Sequence, residues 1–204
     1  MSNGNAPSGF RPVQNQGTGG YTGKTVAMAV AADDTNAIGI GTPVKLTGAS
    51  VDNGKYPVVT LAAPGDANLP TDLVGAVVRV NFIAGDMEST YRPAGAQVAY
   101  RLVFVPEDRF CVYSVQENST PTALDPATVL GSNINFTAES VDPVTGSSSV
   151  QLDSATVDST DTLPWRILEA ENQVTNVSDG TEPNTRWLVR LNNSANNNTT
   201  GVAG

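Results

Sequence analysis

The stretch Ala99-Tyr-Arg-Leu-Val-Phe-Val105-Pro-Glu-Asp-Arg109-Phe-Cys-Val-Tyr-Ser-Val115 decides how the chain is read. Two apolar runs, rich in β-branched and aromatic side chains, flank a polar break from Pro106 to Arg109. Runs of that kind across a short Pro- and Asp-containing break predict a β-hairpin. Alternation puts Tyr100, Leu102 and Phe104 on one face and Arg101, Val103 and Val105 on the other. The arginine predicts that the second face reaches solvent or a partner at its edge. No stretch is as strong a candidate for a helix.

Working outward, the remaining segments read as further strands. Val26 to Val30 alternates, and Asp33-Asp34-Thr35-Asn36 turns the chain. Gly39 to Thr47 is a strand after a glycine-rich approach, Asp52-Asn53-Gly54 is a hairpin turn, and Tyr56 to Leu61 returns. Pro57 marks that return as an edge or a strand start. Leu73 to Ile83 reads as one long strand with a bulge at Gly75. Beyond Val115, Asn133 to Val141 is strand-like, Asp142 to Gly146 turns, and Ser148 to Leu152 returns. Trp165 to Glu169 and Arg186 to Leu191 are late strands; in the last, Trp187, Val189 and Leu191 face inward and Leu188 and Arg190 outward.

The predicted class is therefore all-β: an antiparallel β-barrel or sandwich with long loops and an extended N-terminal arm. The arm is 1–24, the β domain 25–192 with 116–192 as a candidate sub-lobe, and the tail 193–204 is loose. At 204 residues the chain is long enough to bury a core. Its apolar fraction of 39% is low, and Thr, Ser, Asn, Gly and Pro fill the gap, as many short strands joined by turns require.

Twenty acidic residues against 11 basic ones leave a net charge of −9. A surface of that sign repels phosphate, which argues against nucleic-acid binding. The charge is uneven. Residues 1–32 carry only Arg11 and Lys24, for +2, so the remainder carries −11. With no histidine, a Ser-His-Asp triad and a histidine zinc site are excluded. The single cysteine, Cys111, reads as a small buried hydrophobe rather than a reactive thiol. No apolar run approaches the length of a membrane helix. Val26 to Ala32 mimics a signal-peptide core, but its glycine- and asparagine-rich lead favours a first body strand.

Residues 1–23 hold only Phe10, Val13 and Tyr21 as large apolar anchors, too few to order the segment by itself. Two readings are open: a disordered terminus, or an arm that orders on a partner. Phe10-Arg11-Pro12-Val13 supports the second, because Phe and Arg are common interface anchors and proline holds its predecessor extended. Gly17 to Thr25 resembles a phosphate-binding loop. The first required glycine is Thr18, however, and no strand leads in, so the glycines read as a hinge.

Paired carboxylates can work without histidine. Glu107, Asp108, Glu139, Glu169 and Glu171 are the acids near strands, and solvated surface charge is the plainer account of them. Asp153, Asp158 and Asp161 lack the spacing of a calcium loop. Nothing points to a cofactor, a metal or catalysis.

Asn5-Ala-Pro-Ser-Gly-Phe-Arg-Pro-Val13, followed by a glycine-rich segment, resembles the opening of tailed-bacteriophage capsid cement (head decoration) proteins. So do Gly41-Thr-Pro-Val44, Gly75-Ala-Val-Val78, Tyr91-Arg-Pro-Ala94 and Trp187-Leu-Val-Arg-Leu191. The resemblance implies a structural virion protein on the outer surface of the capsid. Its partner would be the major capsid protein, and it would hold the shell against packaged-DNA pressure. It also implies self-association, with a trimer favoured over a dimer, and neither nucleic acid nor membrane as partner. Phe10, Pro12, Val13 and Tyr21 are then the expected capsid-binding anchors, with Arg11 pairing a capsid carboxylate. A glycan-binding adhesin and a phage tail or fibre component are the alternatives.

Overall fold

The computed structural model describes residues 3–15, 19–66, 69–81, 90–108, 110–138, 140–171 and 182–192. In chain order the strands are β1 (Arg11–Asn15), β2 (Gly19–Gly20), β3 (Thr25–Val30), β4 (Pro43–Val51), β5 (Tyr56–Leu61) and β6 (Leu73–Ala76). They continue with β7 (Arg79–Val80), β8 (Arg101–Pro106), β9 (Cys111–Gln116), β10 (Asn133–Ile134), β11 (Trp165–Ala170) and β12 (Arg186–Leu191). Among the described residues helix is limited to single turns, the first of them α1 (Leu69–Asp72). One of them, α2 (Pro126–Val129), is capped by the Asp125 carboxylate, which accepts from the Ala127 N–H, and it starts on a proline that needs no donor partner.

Two six-stranded sheets pack together as a sandwich, ordered β10-β11-β12-β9-β1-β2 and β6-β4-β5-β3-β8-β7. The all-β expectation holds, and the described residues form no closed barrel. One pair departs from the antiparallel expectation: β3 runs parallel to β5, with Ala29 opposite Val58. β5 already has β4 as its hairpin partner on one side, so β3 reaches its other side through the long 31–42 connection.

The predicted hairpin at 99–115 is corrected. β8 pairs with β3 in the second sheet, whereas β9 pairs with β12 and β1 in the first. The polar break is a corner between sheets. Pro106 has no N–H to extend the ladder, Glu107 N–H donates to the Lys24 carbonyl, and Asp108 takes the Phe110 N–H at 2.8 Å. Local alternation was read correctly but assigned to the wrong faces. Arg101, Val103 and Val105 are buried, while Leu102 and Phe104 are partly exposed. Arg101 satisfies its buried Nε by donating to the Asn81 carbonyl at 2.8 Å, which is why a charge is tolerated there.

The expected single strand from Leu73 to Ile83 is also corrected; Ile83 itself lies outside the described residues. Its described part splits into β6 and β7, which occupy opposite edges of the same sheet with only Val77 and Val78 between them. In a flat sheet those edges would stand about 24 Å apart. Three residue steps span at most about 11 Å. The sheet must therefore curl, and its concave side holds its own core of Val30, Val44, Val59, Val77, Val103 and Val105 among others. A register shift at Val74, the residue before Gly75, marks the bulge.

Elsewhere, β5, β11, β12 and the 52–54 turn lie as expected; Asp52, Asn53 and Gly54 all have positive φ, at 53°, 57° and 86°. Leu188 is buried along with Trp187 and Val189. The expected strand from Asn133 to Val141 is mostly loop. After β10 the described residues of this stretch keep only single bridges, Phe136 to Leu152 and Val141 to Ser148. Residues 116–192 supply three strands to a sheet whose other members are β9, β1 and β2.

Candidate functional site

Composition leaves the N-terminal segment either disordered or ordered only on a partner; the structure instead seats residues 3–15 against the rest of the chain. Phe10 is fully buried. Its ring stacks on Trp165 at 4.1 Å and meets the edges of Tyr113 and Phe136 at 6.3 and 6.2 Å. One aromatic side chain inserted among three others supplies the burial that composition alone could not reveal. Phe10 is therefore not a surface anchor.

The residues around Phe10 are tied to the body at several points. Ala6 N–H donates to Gln116 Oε1 at 3.0 Å, Gln116 Nε2 donates to the Gly4 carbonyl at 2.8 Å, and Phe10 N–H donates to the Gly41 carbonyl at 3.0 Å. At that crossing Gly9 and Gly41 approach so closely that a Cβ on Gly9 would lie 2.6 Å from the Gly41 oxygen. β1 then pairs antiparallel with β9, with a register shift at Val13.

Arg11, Pro12, Val13 and Tyr21 remain partly exposed. Arg11 donates to the Ser8 carbonyl at 2.8 Å and to Ser147 Oγ at 3.1 Å. Burial, and secondarily the Arg186 charge, hold its guanidinium below its ordinary pKa. Arg11 thus lies within the electrostatic reach of a second arginine on a chain of net charge −9. Tyr21 packs against the core that holds Phe10, Tyr113 and Trp165, and burial raises its phenol. Its N–H donates to the Val13 carbonyl at 3.1 Å.

Beside this edge lies a surface cleft of about 310 Å³ lined by Asn15, Tyr21, Thr22, Lys24, Glu107 and Asp108. Lys24 Nζ pairs with Glu107 at 2.7 Å across it. A second, more open groove of about 420 Å³ runs along Asp34, Asn36, Thr47 and Thr60. There the Asp34 carboxylate accepts from the Thr60 hydroxyl at 2.6 Å and from the Asn36 N–H at 2.8 Å.

Of the carboxylates named from sequence, Glu107, Asp108 and Glu171 are engaged at separate places. Glu107 is engaged with Lys24, Asp108 caps the corner, and Glu171 accepts the Ser114 hydroxyl at 2.7 Å on the other sheet. Glu139 lies outside the described residues. Asp153 caps a single helical turn through the Ala155 N–H. Among the described residues no three acidic or thiol side chains cluster for a metal, and no helix is long and apolar enough to cross a membrane.

Two buried ionisable groups escaped the sequence reading. Glu117 is fully buried and accepts the Leu124 N–H at 2.9 Å and the Ser119 and Ser154 hydroxyls at 3.3 Å each. Burial pushes its carboxyl up, and these bonds only partly offset that. It follows Gln116 at a strand end, where a polar pair looks solvated, so no local signal marks it. Arg92 is fully buried and donates to the carbonyls of Ala31, Asp34, Asn36, Pro93 and Gly95. It fastens the 90–97 loop to the 31–38 connection. Cys111 is buried, and its thiol is pushed up to about 12 by desolvation.

No family model matches this chain, and neither a curated protein nor a solved structure matches it.

Proposed function

We propose that this chain is a structural virion protein, a capsid cement protein that coats the outer surface of a tailed-phage head and braces the major capsid protein shell. One observation carries the reading: the separated motifs that resemble cement proteins meet in space. Phe10 N–H donates to the Gly41 carbonyl, Gly41 N–H to the Val77 carbonyl, and Val77 N–H back to the Thr42 carbonyl. Arg92 exchanges backbone bonds with Ile38, three residues upstream of Gly41 in this knot. Trp187 to Leu191 form the strand beside β9, whose other neighbour is β1. Residues scattered along the chain thus form one frame that joins the two sheets.

The attachment surface in this reading is the β1–β2 edge. Phe10 sets the edge from inside, while Arg11, Pro12, Val13 and Tyr21 present it. Arg11, within electrostatic reach of Arg186, offers positive charge to a capsid carboxylate, and many copies on one shell act together. The work is adhesive rather than catalytic. The test is sedimentation of the full chain with purified expanded heads that lack it. Saturable binding that raises head resistance to heat, reduced tenfold or more by Arg11→Glu at unchanged melting temperature, supports the proposal. Absence of head binding refutes it.

The Asp34–Thr60 groove favours a second reading, glycan binding, because its carboxylate, amide and hydroxyl groups suit sugar hydroxyls. No aromatic ring lines it to stack a sugar face. Binding of the full chain to a glycan array, with none to heads, would favour that reading.

A further inference from the structure

The sheet ordered β10-β11-β12-β9-β1-β2 gathers arginines on its outer face. The ladder sets Arg166 of β11 directly opposite Arg190 of β12, and Arg190 opposite Val112 of β9. Ser114, two residues along β9, stands between Leu188 of β12 and Arg11 of β1. Arg186 lies opposite Gln116. Alternation puts these side chains on one face, away from the core that Trp165, Tyr113, Trp187 and Val189 fill. Arg166 is exposed and Arg11, Arg186 and Arg190 are partly so, whereas Val112 and Leu188 between them are buried.

The same face holds two glutamates. Glu169 lies opposite Leu188, and the Glu171 carboxylate takes the Ser114 hydroxyl. Four arginines against two glutamates leave the described part of this face positive, on a chain of net charge −9. Arg11 donates to the Ser8 carbonyl and the Ser147 hydroxyl, and Arg166 to the Gly131 carbonyl. Arg186 donates to the Ala6 carbonyl at 3.1 Å. Bonds to neutral oxygens orient a guanidinium without cancelling its charge, and each guanidinium has five N–H donors. Like charges directly opposite one another on a sheet are destabilising, as Arg166 and Arg190 are here. A carboxylate received from outside relieves that repulsion, and the planar fork suits it in bidentate geometry. Arg166 and Arg11 stand three strand spacings apart, roughly 14 Å, a spread that suits carboxylates distributed over a folded surface. A duplex with its dense phosphate rows is repelled by the acidic body around the face.

We propose that this face, with Arg11, Arg166, Arg186 and Arg190, is a docking surface for a carboxylate-rich patch of a partner protein. It goes beyond the cement reading, which needs only the β1–β2 edge, and stands on register and charge.

The test titrates the isotope-labelled full chain at low salt with a hexaglutamate peptide and, separately, with a short DNA duplex. Amide shifts with the peptide should move along β9, β11 and β12, while the amides of Lys24, Lys45 and Lys55 stay still. Arg166→Glu should weaken peptide binding about tenfold. Its melting temperature should be unchanged or higher, because opposite charges then face each other across β11 and β12. Arg166→Gln, which keeps a donor for the Gly131 carbonyl, should weaken binding by a smaller factor. No peptide binding, shifts spread equally over those lysines, peptide affinity unmoved in both variants, or tighter binding to the duplex overturns the proposal. A chain that binds the peptide and not heads keeps this surface and loses the cement reading; one that binds heads and not the peptide does the reverse.

Discussion

The ring of Phe10 lies on the indole of Trp165, centroids 4.1 Å apart and planes 16° from parallel. The N-terminal segment and a strand from late in the chain therefore share one core. Phe10→Ala leaves a cavity among Trp165, Tyr113 and Phe136, and we expect it to destabilise the fold by about 3–5 kcal/mol in urea or guanidinium unfolding. A change at exposed Val144, such as Val144→Ser, should stay within about 0.5 kcal/mol. Equal effects at the two positions would contradict the placement of Phe10.

Glu117 makes stability depend on pH. Its folded pKa is raised above the ordinary 4.5 by burial. Its contribution is therefore fully present below the unfolded value and is lost as pH rises through the folded one. Glu117→Gln removes that dependence. Relative to wild type, the glutamine variant should gain stability between about pH 4 and pH 7. Glu117→Ala strands the buried Leu124 N–H and should cost about 1–3 kcal/mol. Paired denaturation midpoints at the two pH values provide the check.

Cys111 should behave as packing rather than as a reagent. With its thiol pushed to about 12, the folded protein should resist a thiol-specific disulfide reagent at pH 8 and react only on unfolding. The linkage has the same sign as for Glu117. Stability is lost as pH climbs from the ordinary 9.0 towards about 12, and Cys111→Ala should flatten that limb of the curve.

Arg92 anchors a loop through backbone carbonyls, a geometry that the planar guanidinium fork suits and a single ammonium does not. Arg92→Lys should cost about 2–3 kcal/mol, because several buried carbonyls lose their donor. Amide exchange at Ile38 and Gly95, whose N–H groups tie the two segments together, should quicken before the rest of the sheet.

Strand positions were legible wherever alternation and turn residues agreed, as at Tyr56–Leu61, Arg186–Leu191 and the 52–54 turn. Strand partners were not. The 99–115 stretch has the local pattern of a hairpin, yet Pro106 and Asp108 turn it through a corner, and nothing local distinguishes the two outcomes. Val77–Val78 hides its role for a similar reason, since only the curl of the sheet separates β6 from β7. At the N-terminus, composition counted too few apolar residues and could not see that Phe10 had three aromatic partners from distant strands. Arg11, Val13 and Tyr21 were identifiable as an accessible group, whereas Glu117 and Arg92 are defined by burial that only the tertiary fold creates.

Cryo-electron reconstruction of the assembled virion tests the central claim most directly. We expect density for a two-sheet sandwich on the outside of the head, over joints between major capsid subunits, with the β1–β2 edge turned towards the shell. Finding this chain confined to tail or fibre, or missing from the particle, would contradict it.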